Sequence, residues 1–275
     1  MSARPEEFKR HVRRVVAVIP ARMGSSRFPG KPLATLLGRP MIEHVFRRAA
    51  MCDLLDAVYV ATCDEEIRAA VERFGGEAIM TSAAHERASD RVAEAAERFE
   101  AEVVVMIQGD EPMVTPRMIT ASVAPLFEDA SVTCVNLARR VTSREEYVDR
   151  NTVKVLMNVR GDAIYFSRAP IPDGAFARDA AGVSPPVFKQ VCVIPFRRDF
   201  LREFARLPQT PLERAESIDM LRAVEHGRPV RLVEIAEDTH AVDTAEDLRL
   251  VESLMRDDPL VRLYSEAGVS ERSRL

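Results

Sequence analysis

Short apolar runs alternate with amphipathic segments through the first part of the chain. Val15–Ile19 (VVAVI) is continuously apolar and stops at Pro20, the pattern of a strand buried on both faces of a parallel sheet. The segment 41–51 repeats Ile42, Val45, Phe46 and Ala49 on one helical face. Residues 57–61 predict a second strand and 64–74 a helix, with Asp64 as its expected N-cap. Gly75 and Gly76 close that helix before a short apolar segment at 78–80. Residues 89–99 have helical spacing, and Val103–Ile107 is a fourth buried strand. Alternation of this kind builds βαβ units. The expected fold class is therefore α/β: a three-layer, mostly parallel, Rossmann-like sheet with helices on both faces.

Beyond Pro112 the pattern loosens. Residues 131–137, 153–158 and 190–196 predict further strands, and the Pro/Gly-rich stretch 169–186 a long loop of the kind that is usually functional or mobile. Residues 200–207 and 213–225 are expected to be helical, 230–235 a late strand and 247–255 a last core helix. The expected organisation is a leader (1–13), a single domain (14–255) and a polar, loosely attached tail (256–275), with no internal repeat.

The 275 residues are 47% hydrophobic and 30% charged, enough chain for a substantial core. Basic and acidic residues number 39 and 43, a net charge of −4, which excludes a broad electrostatic grip on nucleic acid or an anionic membrane. Cys52, Cys63, Cys134 and Cys192 form no CxxC pair, so a reducing compartment is expected. No apolar run reaches the roughly 18 residues of a membrane helix, and the start is basic without an apolar stretch, so a cytoplasmic protein is expected. Lysine is confined to Lys9, Lys31, Lys154 and Lys189. Codon bias explains the arginines, and a lysine kept against it draws attention, because the two side chains differ in shape and hydration.

Ligands of open α/β sheets bind beyond the carboxyl ends of the strands, which directs attention to the loop from Pro20 to Leu33. Small residues there combine with Arg22, Arg27 and Lys31 into a phosphate cradle. Five residues separate Gly24 from Gly30, and Pro32 stands where a hydroxyl would hold magnesium, so this is no Walker A loop. Nor is it a dinucleotide fingerprint. Taken alone, it also suits a structural loop with scattered basic side chains. Asp110 and Glu111 follow the fourth strand, where they suit either a hard cation or an exposed turn. Asp243 reads as an N-cap or turn residue. No Ser/His/Asp or Cys/His nucleophilic set stands out, and His85, His226 and His240 read as surface or packing residues.

The whole string PAR-x-x-S-S-R-x-P-x-K-P-L resembles the CMP-Kdo synthetase (3-deoxy-manno-octulosonate cytidylyltransferase) family. The resemblance continues in family order through Pro40-Met-Ile-Glu-His44, Val60-Ala-Thr-Cys-Asp64, Gln108-Gly-Asp-Glu-Pro112, Asn151-x-Val-Lys-Val155, Tyr165-Phe-Ser-Arg-Ala169 and Val242-Asp-Thr-x-Glu-Asp-Leu248, covering nearly all of 14–255. It implies a nucleotide-diphospho-sugar transferase fold. It also implies transfer of CMP from CTP to an anionic small-molecule acceptor, with Mg²⁺ as cofactor and pyrophosphate released. By the same resemblance Arg22, Lys31 and Asp110 would be catalytic, and Asp110 and Asp243 would hold the metal. Ala21, Arg22, Lys31, Asp64, Ser89 and Arg91 would surround the nucleotide, and Gln108, Arg168, Gln190, Glu213 and Glu216 the acceptor. A homodimer formed near residues 130–200 is implied, with no nucleic-acid or membrane partner.

Two segments depart from the family. Its H-x-S-G-T-x-R appears here as His85-Glu-Arg-Ala-Ser-Asp-Arg91, with Arg87 and Ala88 in place of serine and glycine. Its H-x-G-x-Y-G-Y-R appears as Gln190-Val-Cys-Val-Ile-Pro-Phe-Arg197, so that polar positions become Gln190, Ile194 and Phe196 and a glycine becomes Pro195. Such swaps are how a pocket changes its preferred substrate. The acceptor is accordingly expected to be 3-deoxy-manno-octulosonate (Kdo), a relative, a nonulosonate or a small phosphonate, and the alternative is another nucleoside triphosphate on the same fold.

Overall fold

Apolar runs without a polar break need cover on both faces, and the first strand has it. In the computed structural model, which describes residues 14–24, 28–175 and 185–272, β1 (Val15–Pro20) is buried along its whole length. Its side chains alternate between two cores: Val15, Ala17 and Ile19 face one, Val18 the other. The leader, Arg27 with Ser25 and Ser26, and much of the 169–186 stretch lie outside the described residues.

A small ribbon of β2 (Thr35–Leu36) and β3 (Arg39–Pro40) leads into α1 (Met41–Ala50). Then follow β4 (Ala57–Thr62), α2 (Glu65–Arg73), β5 (Glu77–Met80), α3 (Ala88–Ala95), β6 (Val103–Ile107) and α4 (Pro116–Glu128). The second half holds β7 (Val135–Arg140), α5 (Arg144–Val148), β8 (Lys154–Met157), β9 (Ala163–Ser167), β10 (Phe188–Val191) and β11 (Val193–Arg197). It ends with α6 (Arg198–Arg206), α7 (Pro211–Glu216), α8 (Met220–Glu225), β12 (Arg231–Ile235), α9 (Ala245–Met255) and α10 (Pro259–Arg272).

The first sheet runs β11-β6-β1-β4-β5, parallel except for β11. Helices α1, α2 and α4 cover one face and α3 and α6 the other, which is the expected three-layer arrangement. The second sheet, β12-β7-β10-β8-β9, is antiparallel apart from the β12–β7 pair. A bridge between Cys134 and Phe196 connects the two sheets.

The structure departs from the expected elements at several points. The run 190–196 is two strands, which part at Cys192 and enter different sheets. The helix expected over 213–225 is broken at Ser217, a non-glycine residue in the left-handed region (φ 57°, ψ 49°), a conformation costing about 1–2 kcal/mol. Strand β9 and helix α4 were not predicted. Pro125 inside α4 masks its period, although Thr115 caps it by accepting from the Met118 N–H. Asp64 stands at the N-cap of α2 without capping it; its carboxylate accepts from the Met23 N–H at 2.8 Å instead. Thr244, not Asp243, caps α9, in a reciprocal box with Asp247. The tail expected to be loose docks as α10: Tyr264 is buried against His44, and Asp258 pairs with the buried Arg48.

Candidate active site

The parallel strands β1, β4 and β6 end at one edge of the first sheet, where antiparallel β11 begins, and four loops meet there. After β1, Ala21 N–H extends the ladder to Ala61 O at 2.9 Å, and Gly30 N–H closes the loop on Met23 O at 3.1 Å. Gly30 has φ +72°, which a side chain rarely adopts, and it sets Lys31 into a short 3₁₀ turn. After β6, a Cβ on Gly109 would lie 3.0 Å from Pro20 O, so glycine is needed for close approach of the two loops. The backbone of Asp110 is tied to a third loop by Val242 N–H at 2.9 Å.

Lys31, Asp110 and Asp243 are thereby brought together. The Lys31 ammonium donates to Asp110 Oδ2 at 2.7 Å and to Asp243 Oδ1 at 3.2 Å. Burial draws the lysine pKa down, but the two carboxylates outweigh it and hold it above its ordinary value. Glu111 faces the other way. It is buried, accepting from Thr239 Oγ1 at 3.0 Å and the Cys192 N–H at 3.3 Å, and burial, with Asp110 beside it, pushes its carboxyl up to about 7. Burial, with Glu111 and Asp110 adding to it, raises the Cys192 thiol well above its ordinary value, so no thiolate nucleophile is poised there.

Two chambers open around this point, of about 650 and 1000 Å³. Lys31 lines the smaller, Asp243 the larger, and Asp110 both; Arg22, Gln108 and Arg168 also line both. Ala21 and Arg91 line the smaller. Arg91 is almost wholly buried and donates to Thr81, and its Nη2 has no partner, leaving a donor for a ligand. His85, expected at the surface or in packing, lines the same chamber and bonds Glu94. Gln190 lines the larger chamber and donates to Asn136 Oδ1 at 2.7 Å.

Four predicted site residues line neither chamber and instead hold others in place. Asp64 anchors the loop after β1 through Met23. Ser89, fully buried, donates from its hydroxyl to Asp219 Oδ2 at 2.7 Å. Glu213, also fully buried, receives the guanidinium of Arg222 at 2.7 and 2.9 Å. Glu216 accepts from Arg168 N–H at 2.9 Å and from Ser167 Oγ at 2.7 Å. Lys154 was visible in the sequence as a lysine kept among arginines and as part of a family-matching block, but without an assigned role. It is fully buried, with its ammonium donating to the carbonyls of Thr152, Asp149 and Arg168 at 2.6, 2.7 and 3.0 Å. That fastens the wall around Arg168. Among the described residues no group of three or more His, Cys, Asp or Glu is arranged to hold a metal, and no helix is long and apolar enough to cross a membrane.

A family model described as cytidylyltransferase matches residues 16–248. The 3-deoxy-manno-octulosonate cytidylyltransferase of Geobacter metallireducens is 44% identical over 250 residues, covering 88% of this chain and 98% of the relative. The protein of the same name from Syntrophotalea carbinolica is 47% identical over 246 residues, with the same coverage. A solved CMP:2-keto-3-deoxy-manno-octonic acid synthetase complexed with CTP superposes with a TM-score of 0.81 at 40% identity, covering 89% of this chain and 99% of that one.

Proposed function

The chain belongs to the 3-deoxy-manno-octulosonate cytidylyltransferase family, and from that premise we propose that it transfers CMP from CTP to 3-deoxy-manno-octulosonate or a close acidic relative. The observation that carries the proposal is the meeting of Lys31, Asp110 and Asp243 where the two chambers join. A nucleotide in one chamber and an acceptor in the other would face each other across that junction. The acceptor hydroxyl attacks the α-phosphorus in line and pyrophosphate leaves, a reaction governed by alignment and charge neutralisation.

Arg22 and Lys31 hold the triphosphate in this reading, Lys31 as a cation kept charged by its two carboxylates. Ala21 and Arg91 complete the nucleotide chamber, while Asp64 and Ser89 support its walls. Gln108, Gln190 and Arg168 face the acceptor, and the Arg168 fork suits a carboxylate. Glu216 orients Arg168, and Glu213 acts at one remove as packing support. Asp110 and Asp243 fit a magnesium ion. They are hard oxygen donors within reach of one ammonium, and magnesium takes one or two carboxylates together with substrate phosphates. Bound there, the ion would supply charge neutralisation at the phosphate and the attacking oxygen.

Gln190 and Ile194, which stand where the family carries histidine and tyrosine, both line the larger chamber, and this keeps relatives of the sugar in view as acceptors. Homodimerisation near residues 130–200 belongs to the same reading. It is supported by β9, a sheet edge carrying the half-exposed Ile164. Pyrophosphate release with CTP, UTP and GTP against a panel of acidic sugars tests the whole: CTP with 3-deoxy-manno-octulosonate is expected to turn over fastest. Preference for UTP would overturn the nucleotide assignment, and preference for another acid the acceptor assignment.

A further inference from the structure

Arg87 stands at the N-cap of α3 and lines the smaller chamber. Nothing local favours it there. Arginine makes no side-chain cap, and a cation opposes the positive end of the helix dipole. Its Nη1 instead reaches Ser217 Oγ at 2.7 Å, across 130 residues of sequence. Two carboxylates lie near its Nε, Glu213 at 3.7 Å and Asp219 at 3.9 Å, both beyond hydrogen-bond range. Each is engaged at shorter distance, Glu213 by Arg222 and Asp219 by Ser89. Arg87 Nε is left buried without a hydrogen-bond partner, so the directional contact that sets where the guanidinium points is the bond to Ser217, with the two carboxylates adding only an ion pair at longer range.

Ser217 lines both chambers in its left-handed conformation. The adjoining Glu216 holds Arg168 at two points, its carbonyl accepting from Arg168 Nε at 2.9 Å and its carboxylate from Arg168 N–H at 2.9 Å, while the same carboxylate also accepts from the neighbouring Ser167 Oγ at 2.7 Å. A continuous chain therefore runs from Arg87 through Ser217 and Glu216 to Arg168.

We propose that Arg87, although it stands in the nucleotide chamber, is a positioning residue for the acceptor, setting the orientation of Arg168 through Ser217 and Glu216. The proposal rests on the reading of Arg168 as the acceptor's carboxylate ligand. The test is steady-state pyrophosphate release by Arg87→Ala, Ser217→Gly and the double variant, with CTP and whichever acid of the panel the wild type turns over. Glycine suits the positive φ, so Ser217→Gly removes the hydroxyl without threatening the fold. Both single variants are expected to raise the acceptor KM about tenfold, as loss of a charge-assisted hydrogen bond does, while the CTP KM stays within about twofold. The double variant is expected to be no worse than the stronger single, because both act along one chain. An unchanged acceptor KM in Ser217→Gly, a rise in the CTP KM instead, or effects that multiply would each overturn the proposal and leave the cytidylyltransferase reading standing. A wild type that turns over no acid at all would remove both.

Discussion

Glu213 offers a sharp separation between binding and support. The family resemblance puts it at the acceptor, yet its carboxylate is fully buried and held by Arg222, which is itself only 2% exposed. Arg222 also bonds Asp90 at 2.8 Å and lies 4.8 Å from the Phe204 ring centroid. Glu213→Gln keeps the shape and removes the charge. Breaking a buried pair from one side costs about 3–5 kcal/mol, and retention of Asp90 places this case near the lower end, about 3 kcal/mol. For a chain of this size that corresponds to a fall in Tm of roughly 6–10 °C. Thermal unfolding measures the loss, and steady-state kinetics well below the transition measure the consequence for turnover. The acceptor KM is expected to stay within about twofold of wild type. A variant of undiminished stability with a raised acceptor KM would refute the reasoning and return Glu213 to the substrate.

Asp110→Ala and Asp243→Ala are each expected to abolish metal-dependent pyrophosphate release while far-UV circular dichroism stays native; full activity in either would refute its role. Lys31→Arg is expected to lower kcat roughly tenfold or more, since the longer, planar guanidinium would pair with the carboxylates but would not place its charge where the compact ammonium sits, 2.7 and 3.2 Å from them; wild-type turnover would return the lysine to background. His44, whose pKa burial lowers to about 4, binds its proton in the unfolded chain before the folded one. Its contribution is therefore complete above about pH 6.5 and is lost as pH falls through about 4, a change of about 3 kcal/mol. Glu111 acts in the opposite sense, its raised carboxyl pKa removing stability as pH rises toward about 7. The measurement is therefore the difference between wild type and His44→Gln in denaturant midpoints at neutral and acid pH, and equal acid sensitivity in the two would disprove the assignment.

What could be read from the chain depended on how each element is buried. Strands β1 and β6 lie inside a parallel sheet and are buried along their whole length, so their sequences are almost purely apolar, and with the largely apolar β4 their positions were predicted closely. The second sheet is mixed and partly exposed. There Cys192 divides one apolar run between two sheets, and the left-handed Ser217 splits one helical period, neither of which has a local signature. Of the candidate site residues, Lys31 and Asp110 stood out in loops beyond strand ends, whereas Asp243 read locally as a cap or turn residue and only the family pattern singled it out. Ser89, Glu213 and Glu216 matched it as well, but which of them face a cavity depends on how distant segments pack. The hydrogen bond from Arg87 to Ser217 spans 130 residues and could be found only in three dimensions.

The seating of α10 on α1 bears on how the protein is made. His44 bonds the carbonyl of Leu36 on one side and the hydroxyl of Tyr264 on the other, both at 2.7 Å, so the ribbon just after the lysine loop is braced by a helix near the chain's end. Asp243 likewise reaches Lys31 across 212 residues. A ribosome delivers the chain from its N-terminus, so Lys31 and Asp110 emerge long before Asp243 and Tyr264. A nascent chain can thus build the central strands of the first sheet while Lys31 still lacks its second carboxylate and the ribbon its brace, and the cluster of Lys31, Asp110 and Asp243 closes only after the segment through Tyr264 has emerged.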